Sequence, residues 1–382
     1  MKPLSKITEK IPEAMSLQFN MAAYDLRCQG KDIIDLSSGE TLFKLPLFSF
    51  KRLDYKTGFH YSSSFGTLEL RKKISQYYFN QYGVKADANR EILISAGSKI
   101  VIYLALKAIL NPGEEVIIME PAWVSYPEQV RLAGGKPVLM PHGENLKDLV
   151  GYITAKTKAI IVNNPQNPSG KVYCREELTY IYNLVKKRGI YIIADEVYGD
   201  FTTSEPFVSL AEIDKKKEVV LTISSLSKTF GISGLRIGYI IAHEKYIKSI
   251  LKLNQHLITC PATLLEQYVT EHFSEFIRLT RPQIKDILSR REEVAEYSEK
   301  IGLKYLAGSA TLYIMISLGA SKLKADDFAW KLLKEYHVAT VPGTGYGRST
   351  ARYLRISVGA ESLPRIKQAV ERIKKLIELT KK

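Results

Sequence analysis

Seven short apolar runs alternate with helical patterns through the middle of the chain, and this alternation limits the fold more than any other feature. They span residues 91–96, 115–120, 136–141, 158–163, 191–195, 219–224 and 236–242. Strands that are apolar along their whole length are buried on both faces, and short connections filled by helices form crossover units. The pattern predicts an α/β fold, a doubly wound, mostly parallel seven-stranded sheet. With 382 residues, 45% of them hydrophobic and 25% charged, the chain is long enough for a full core and a second unit.

The flanks read differently. A helical pattern over residues 16–28 precedes a short strand over 33–36, which ends in Ser37-Ser38-Gly39-Glu40, and an amphipathic helix over 67–82 is stopped by Gly83. Beyond His243 the helices lengthen. A connector over 274–301 is expected to break near Pro282, since proline removes an intrahelical hydrogen bond. Strand-like runs over 311–318 and 353–358 and a final helix from Leu363 complete the chain. These readings predict a large unit over residues 46–274 and a smaller α+β unit built from 1–45 and 275–382.

Composition narrows the function classes. No apolar run approaches the ~20 residues a bilayer requires, and the first residues lead into charges rather than an apolar leader core. A cytoplasmic protein with no membrane partner is expected. Three cysteines, Cys28, Cys174 and Cys260, lie far apart without CxxC or histidine pairing, so free buried thiols are expected and no metal site. The formal charge of +15 is scattered, and basic residues of the last helix alternate with Glu371 and Glu378. That is a solvated amphipathic face, and no nucleic-acid recognition motif accompanies it.

In doubly wound sheets the site forms at the carboxyl ends of the strands. The sixth run leads into Ser224-Ser225-Leu226-Ser227-Lys228-Thr229-Phe230-Gly231-Ile232-Ser233-Gly234-Leu235-Arg236. A lysine amid hydroxyls can serve as a nucleophile, and the hydroxyls with the guanidinium can collect a phosphate. The first run ends in Ala96-Gly97-Ser98-Lys99, a helix start whose free N–H groups favour an anion. Lys99 there is read against the alternative of a solvated lysine. The second run ends near Trp123, a platform for a planar ligand or a core aromatic. The fourth ends in Asn164-Pro165-Gln166-Asn167-Pro168, a rigid turn that can hold the Asn167 amide on a ligand and can include a cis peptide. The fifth ends in Asp195-Glu196-Val197-Tyr198, which places at the end of a buried run a carboxylate that needs a cation or several hydrogen bonds.

The ordered set Asn167, Asp195, Tyr198, Lys228, Arg236 and Arg355 resembles the class I aminotransferases among the fold type I enzymes dependent on pyridoxal 5′-phosphate (PLP), near their bacterial aspartate/prephenate branch. The resemblance spans nearly the whole chain, from Leu36 to Ser357. It implies that Lys228 forms a Schiff base with the cofactor and moves the substrate proton, and that Asp195 pairs with the ring nitrogen. Asn167 and Tyr198 would bond the phenolic oxygen, and Trp123 would stack on the ring. Gly97, Ser98, Ser225 and Arg236 would hold the phosphate. Arg355, helped by the Gly39 backbone, would grip the substrate α-carboxylate. Tyr61 would reach the partner subunit's phosphate, which implies a homodimer. Lys99 matches a lysine that contacts a distal carboxylate, which favours glutamate or aspartate as amino donor to a 2-oxo acid. Gly39-Glu40-Thr41 departs from the family's Gly-Glu-Pro, so a different lid is expected there.

Carbon–sulfur lyases and aminocyclopropane carboxylate synthases share this constellation, and such PLP-dependent chemistry is the alternative to transamination. Ser225-Leu226-Ser227-Lys228 also matches the Ser-x-x-Lys of penicillin-binding enzymes, but the Ser-Asp-Asn and Lys-Thr-Gly that go with it are missing. Gly343-Thr344-Gly345-Tyr346-Gly347 has the wrong spacing and context for a dinucleotide fingerprint.

Overall fold

A computed structural model describes residues 3–46, 48–203 and 205–381; Met1, Lys2 and Lys382 of the expected small unit lie outside the described residues. The first strand, β1, is Ile34–Asp35. Seven strands then build the main sheet: β2 Ile92–Ser95, β3 Glu115–Met119, β4 Lys136–Met140, β5 Thr157–Asn163, β6 Tyr191–Asp195, β7 Val220–Ser225 and β8 Gly238–Ile241. Their order is β2-β8-β7-β6-β5-β3-β4.

Successive side chains enter opposite cores. Val116 and Ile118 face the helices Ser98–Ile109 and Glu244–Leu257, whereas Ile117 and Met119 face the helix Arg175–Lys186. Two-sided burial accounts for the apolar runs.

All neighbours pair in parallel except β8, which runs antiparallel to both β7 and β2, with Gly238 opposite Ser225 and Ser95. The segment 226–237 therefore never crosses the sheet. It turns back at the carboxyl edge and leaves Lys228 and Arg236 beside the ends of β2, β5 and β6.

The remaining strands are β9 Tyr313–Ser317, β10 Val338–Ala339, β11 Val341–Pro342 and β12 Tyr353–Ser357, of which β11, β12 and β9 form an antiparallel sheet. β1 pairs in parallel with β10 in a separate two-stranded sheet, and the Ser357 N–H of β12 donates to the Leu36 carbonyl at 2.9 Å, which ties the N-terminal segment to the antiparallel sheet.

Two expectations fail. The helix Phe273–Lys300 is continuous through Pro282. The proline costs one intrahelical bond, but Phe276, Ile284, Ile287 and Leu288 are buried on either side of it, and that packing carries the helix through. The cysteines are free but not buried. Cys28 ends one surface helix and Cys174 caps another, both exposed, and Cys260 is partly covered in a connection. No helix among the described residues is long and apolar enough to cross a membrane.

Candidate active site

The strand ends surround a cavity of about 380 Å³, lined by Gly39, Ser98, Lys99, Trp123, Asn167, Asp195, Tyr198, Ser225, Lys228, Arg236 and Arg355 among others. Residues as far apart in sequence as Gly39 and Arg355 thus meet in one cavity. Gly97 is not among the lining residues but packs against Arg236, which is; Tyr61 lies elsewhere, 86% exposed and bordering a separate cleft beside Arg52 and Gln267.

At the floor, Asp195 ends β6 and Asn163 ends β5, in register opposite one another. Asn163 Nδ2 donates to the Asp195 carbonyl at 2.9 Å, and its Oδ1 accepts the Asn167 N–H at 2.7 Å. The 163–167 turn is thereby fixed, with both Asn-Pro bonds cis. Asn167 is 7% exposed, and its Oδ1 is buried without a partner.

The Asp195 carboxylate accepts from the Tyr126 hydroxyl at 2.5 Å and from the Val197 N–H at 3.3 Å. No cation pairs with it among the described residues. Burial pushes its pKa to about 6, against those two hydrogen bonds.

Lys228 follows β7 on a single helical turn, and its Nζ donates to the Gly39 carbonyl at 2.5 Å. Thr41 Oγ1 donates to the Lys228 carbonyl at 3.2 Å, so the atypical 39–41 segment grips both the amine and the backbone of the lysine. Ser225 Oγ accepts the Ser227 N–H at 2.9 Å and caps this turn.

At the mouth, Gly97 has φ 91°, and a Cβ there would lie 2.2 Å from Arg236 Nη2; at Gly238 it would lie 2.1 Å from the Ser98 nitrogen. The guanidinium packs directly on a helix start whose first N–H groups lack intrahelical acceptors, a cradle for a polyanion. Lys99 stands over the Trp123 ring at 5.2 Å. Desolvation against the cavity wall, and then Arg236, pull its pKa below the ordinary lysine range.

On the far wall Arg355, 3% exposed, lies over the Tyr313 ring at 4.5 Å and the Tyr346 ring at 5.4 Å. It donates to the Ser37 carbonyl, while its Nε is buried without a partner. The Tyr198 and Tyr313 hydroxyls are 2.8 Å apart.

The residues 31–373 match the family described as aminotransferase class I and II. The chain is a class I and II aminotransferase. It is similar to the (5-formylfuran-3-yl)methyl phosphate transaminase of Methanocaldococcus jannaschii, 35% identical with 93% of this chain and 94% of that protein covered. It is also 32% identical to the aspartate aminotransferase of Pyrococcus abyssi, over 93% and 94% of the two chains. Among solved structures, the aspartate aminotransferase of Thermus thermophilus with maleate superposes with a TM-score of 0.91, covering 98% and 100% at 28% identity.

Family membership implies PLP, and the aminotransferase has a site of matching chemistry. Four cations, Lys99, Lys228, Arg236 and Arg355, face two carboxylates, Glu40 and Asp195, an excess suited to a phosphate dianion and a substrate carboxylate. The uncompensated Asp195 and the Gly97 cradle fit the ring nitrogen and the phosphate in turn. Sequence reasoning missed Tyr126 and Tyr313, which engage Asp195 and the pair Tyr198 and Arg355. Their only signal was position: Tyr126 follows Trp123 by one turn, and Tyr313 lies in an apolar strand where it reads as core.

Proposed function

We propose that this aminotransferase moves an amino group between an L-amino acid, with glutamate or aspartate the favoured donor, and a 2-oxo acid, at the cavity around Lys228. The observation that carries the reading is a lysine amine in one cavity with a buried carboxylate that has no cation of its own.

When bound there, PLP supplies an aldehyde that captures the amino group and a ring that withdraws electrons from Cα. Asp195 would hold the ring nitrogen protonated, which gives its carboxylate the missing cation. Asn167 and Tyr198 would donate to the phenolic oxygen, and Trp123 would cover one ring face. Gly97, Ser98, Ser225 and Arg236 would bind the phosphate. Arg355, with the Gly39 backbone, would orient the α-carboxylate so that the Cα proton lies within reach of Lys228 Nζ, the general base.

Lys99 at the mouth lies over the Trp123 ring and forms no ion pair with a carboxylate among the described residues. It is placed for a distal carboxylate, which supports an acidic substrate. The exposure of Tyr61 supports a homodimer in which it completes the partner's site. Residues 46–274 would then form the cofactor-binding unit, and 1–45 with 275–382 the unit that brings Arg355 over it.

The test is a half-reaction screen. The PLP-loaded protein is mixed with each amino acid and the cofactor's absorption followed. Conversion to the amine form, strongest with glutamate or aspartate, is expected. Release of ammonia with no amine form would instead establish elimination.

A further inference from the structure

We propose that Glu120 is a positioning residue: its carboxylate clasps residues 346–349 against the main sheet and so sets Arg355 for the substrate carboxylate. The proposal rests on the reading of Arg355 given above.

Glu120 directly follows β3, at the carboxyl edge of the main sheet, and is 7% exposed. Its carboxylate accepts the Arg348 N–H at 3.1 Å and the Ser349 N–H at 3.0 Å, together with the Ser349 hydroxyl. Two further bonds join the same elements: Ala122 N–H donates to the Tyr346 carbonyl at 2.8 Å, and His142 N–H donates to Ser349 Oγ at 2.9 Å. The clasped segment leads into β12, which carries Arg355, and Tyr346 at its start forms one of the two rings against the guanidinium. The main sheet holds the cofactor residues and the second sheet holds the carboxylate-binding arginine, so a buried anion gripping three donors joins the two halves of the site.

The fit leaves no slack. Gly347 has φ 140°, and a Cβ there would lie 2.3 Å from the Glu120 carboxyl carbon. None of the three donors to Glu120 carries a positive charge. The carboxylate is thus held by geometry alone, and the isosteric amide of Glu120→Gln would oppose an N–H to an N–H.

The experiment uses the PLP-loaded protein and succinate, an unreactive dicarboxylate, with affinity read from the cofactor's absorption and kcat and KM measured alongside. Glu120→Gln is expected to raise the succinate Kd and the KM for both substrates about tenfold, with cofactor affinity within about twofold of wild type. Ser349→Ala, which keeps both N–H donors, is expected to move the same quantities about threefold. Amide exchange at residues 346–350 is expected to accelerate in both variants. Unaltered succinate affinity in Glu120→Gln overturns the proposal. So does a loss of cofactor affinity and thermal stability in parallel with KM, which marks a merely structural contact. Arg355→Ala is the control: if it leaves succinate affinity unchanged, the assignment of Arg355 itself fails, whereas a weakened control beside an unaltered Glu120→Gln refutes only the clasp.

Discussion

Arg355→Lys keeps the charge and removes the geometry. In the structure one edge of the guanidinium is held by the Ser37 carbonyl, its faces by Tyr313 and Tyr346, and Nε has no protein partner. A carboxylate arriving at the free edge can take two parallel N–H donors, which one ammonium on a flexible stem cannot reproduce. A charge-assisted hydrogen bond contributes about 1.5–3 kcal/mol. Losing one of two is therefore expected to raise KM about 30-fold, the equivalent of about 2 kcal/mol. Arg355→Ala removes both and leaves the substrate carboxylate buried without a cation; about 4 kcal/mol, or a thousandfold, is expected. The assay is steady-state kinetics with the amino acid and the 2-oxo acid varied in turn, and cofactor affinity measured by absorption titration. Gly97 and Arg236 adjoin β2 and β8 of the main sheet whereas Arg355 lies on β12 of the other, so cofactor affinity is expected to stay near that of wild type. A KM for Arg355→Ala within threefold of wild type, or a loss confined to cofactor binding, refutes the reasoning.

Lys228→Ala is expected to fold and to bind PLP through Arg236 and Asp195, but to lose the absorption band of the lysine-linked cofactor and at least about 10⁴-fold in turnover; an unchanged spectrum rejects the assignment. Lys99→Ala is expected to raise KM for glutamate and aspartate at least about tenfold while alanine changes less than about twofold, and equal losses would mark a solvated lysine. Glu196, fully enclosed, accepts from Ser209 Oγ and the Leu210 N–H, and burial pushes its pKa from 4.5 to about 8. The native chain therefore retains a proton that the unfolded chain has released, so this contribution to stability is full below pH 4.5 and lost as pH rises through 8. Glu196→Gln keeps both hydrogen bonds without the charge. It is expected to stabilise the cofactor-free protein at pH 9 by about 5 kcal/mol, or about 6 °C in Tm, and to flatten the decline above pH 5. A Tm profile parallel to wild type would contradict the burial argument.

What the sequence made legible follows from the sheet's own physics. A strand buried on both faces must be apolar along its length, and the first polar residues after it mark the carboxyl edge, which is how Asn167, Asp195 and Lys228 are found. β8 reverses the sheet, and for that reason Arg236 reaches the same edge from the start of its strand instead of the end. The contacts that escaped are those where an apolar pattern conceals a polar atom. Tyr126 packs its ring in the core and sends its hydroxyl to Asp195; Tyr313 and Tyr346 are strand and loop aromatics that become the walls around Arg355. Glu120 was hidden for the opposite reason, since its partners are backbone N–H groups that no side-chain pattern records. Pro282 and the cysteines show the same limit: a local rule about proline or thiols yields to where the surrounding helix lies. Residues that perform chemistry are thus legible when their position on the sheet edge is forced, and residues that orient them are not, because orientation depends on atoms brought from elsewhere in the chain. The clasp at Glu120 belongs to that second group, and so its role has to be measured through Arg355.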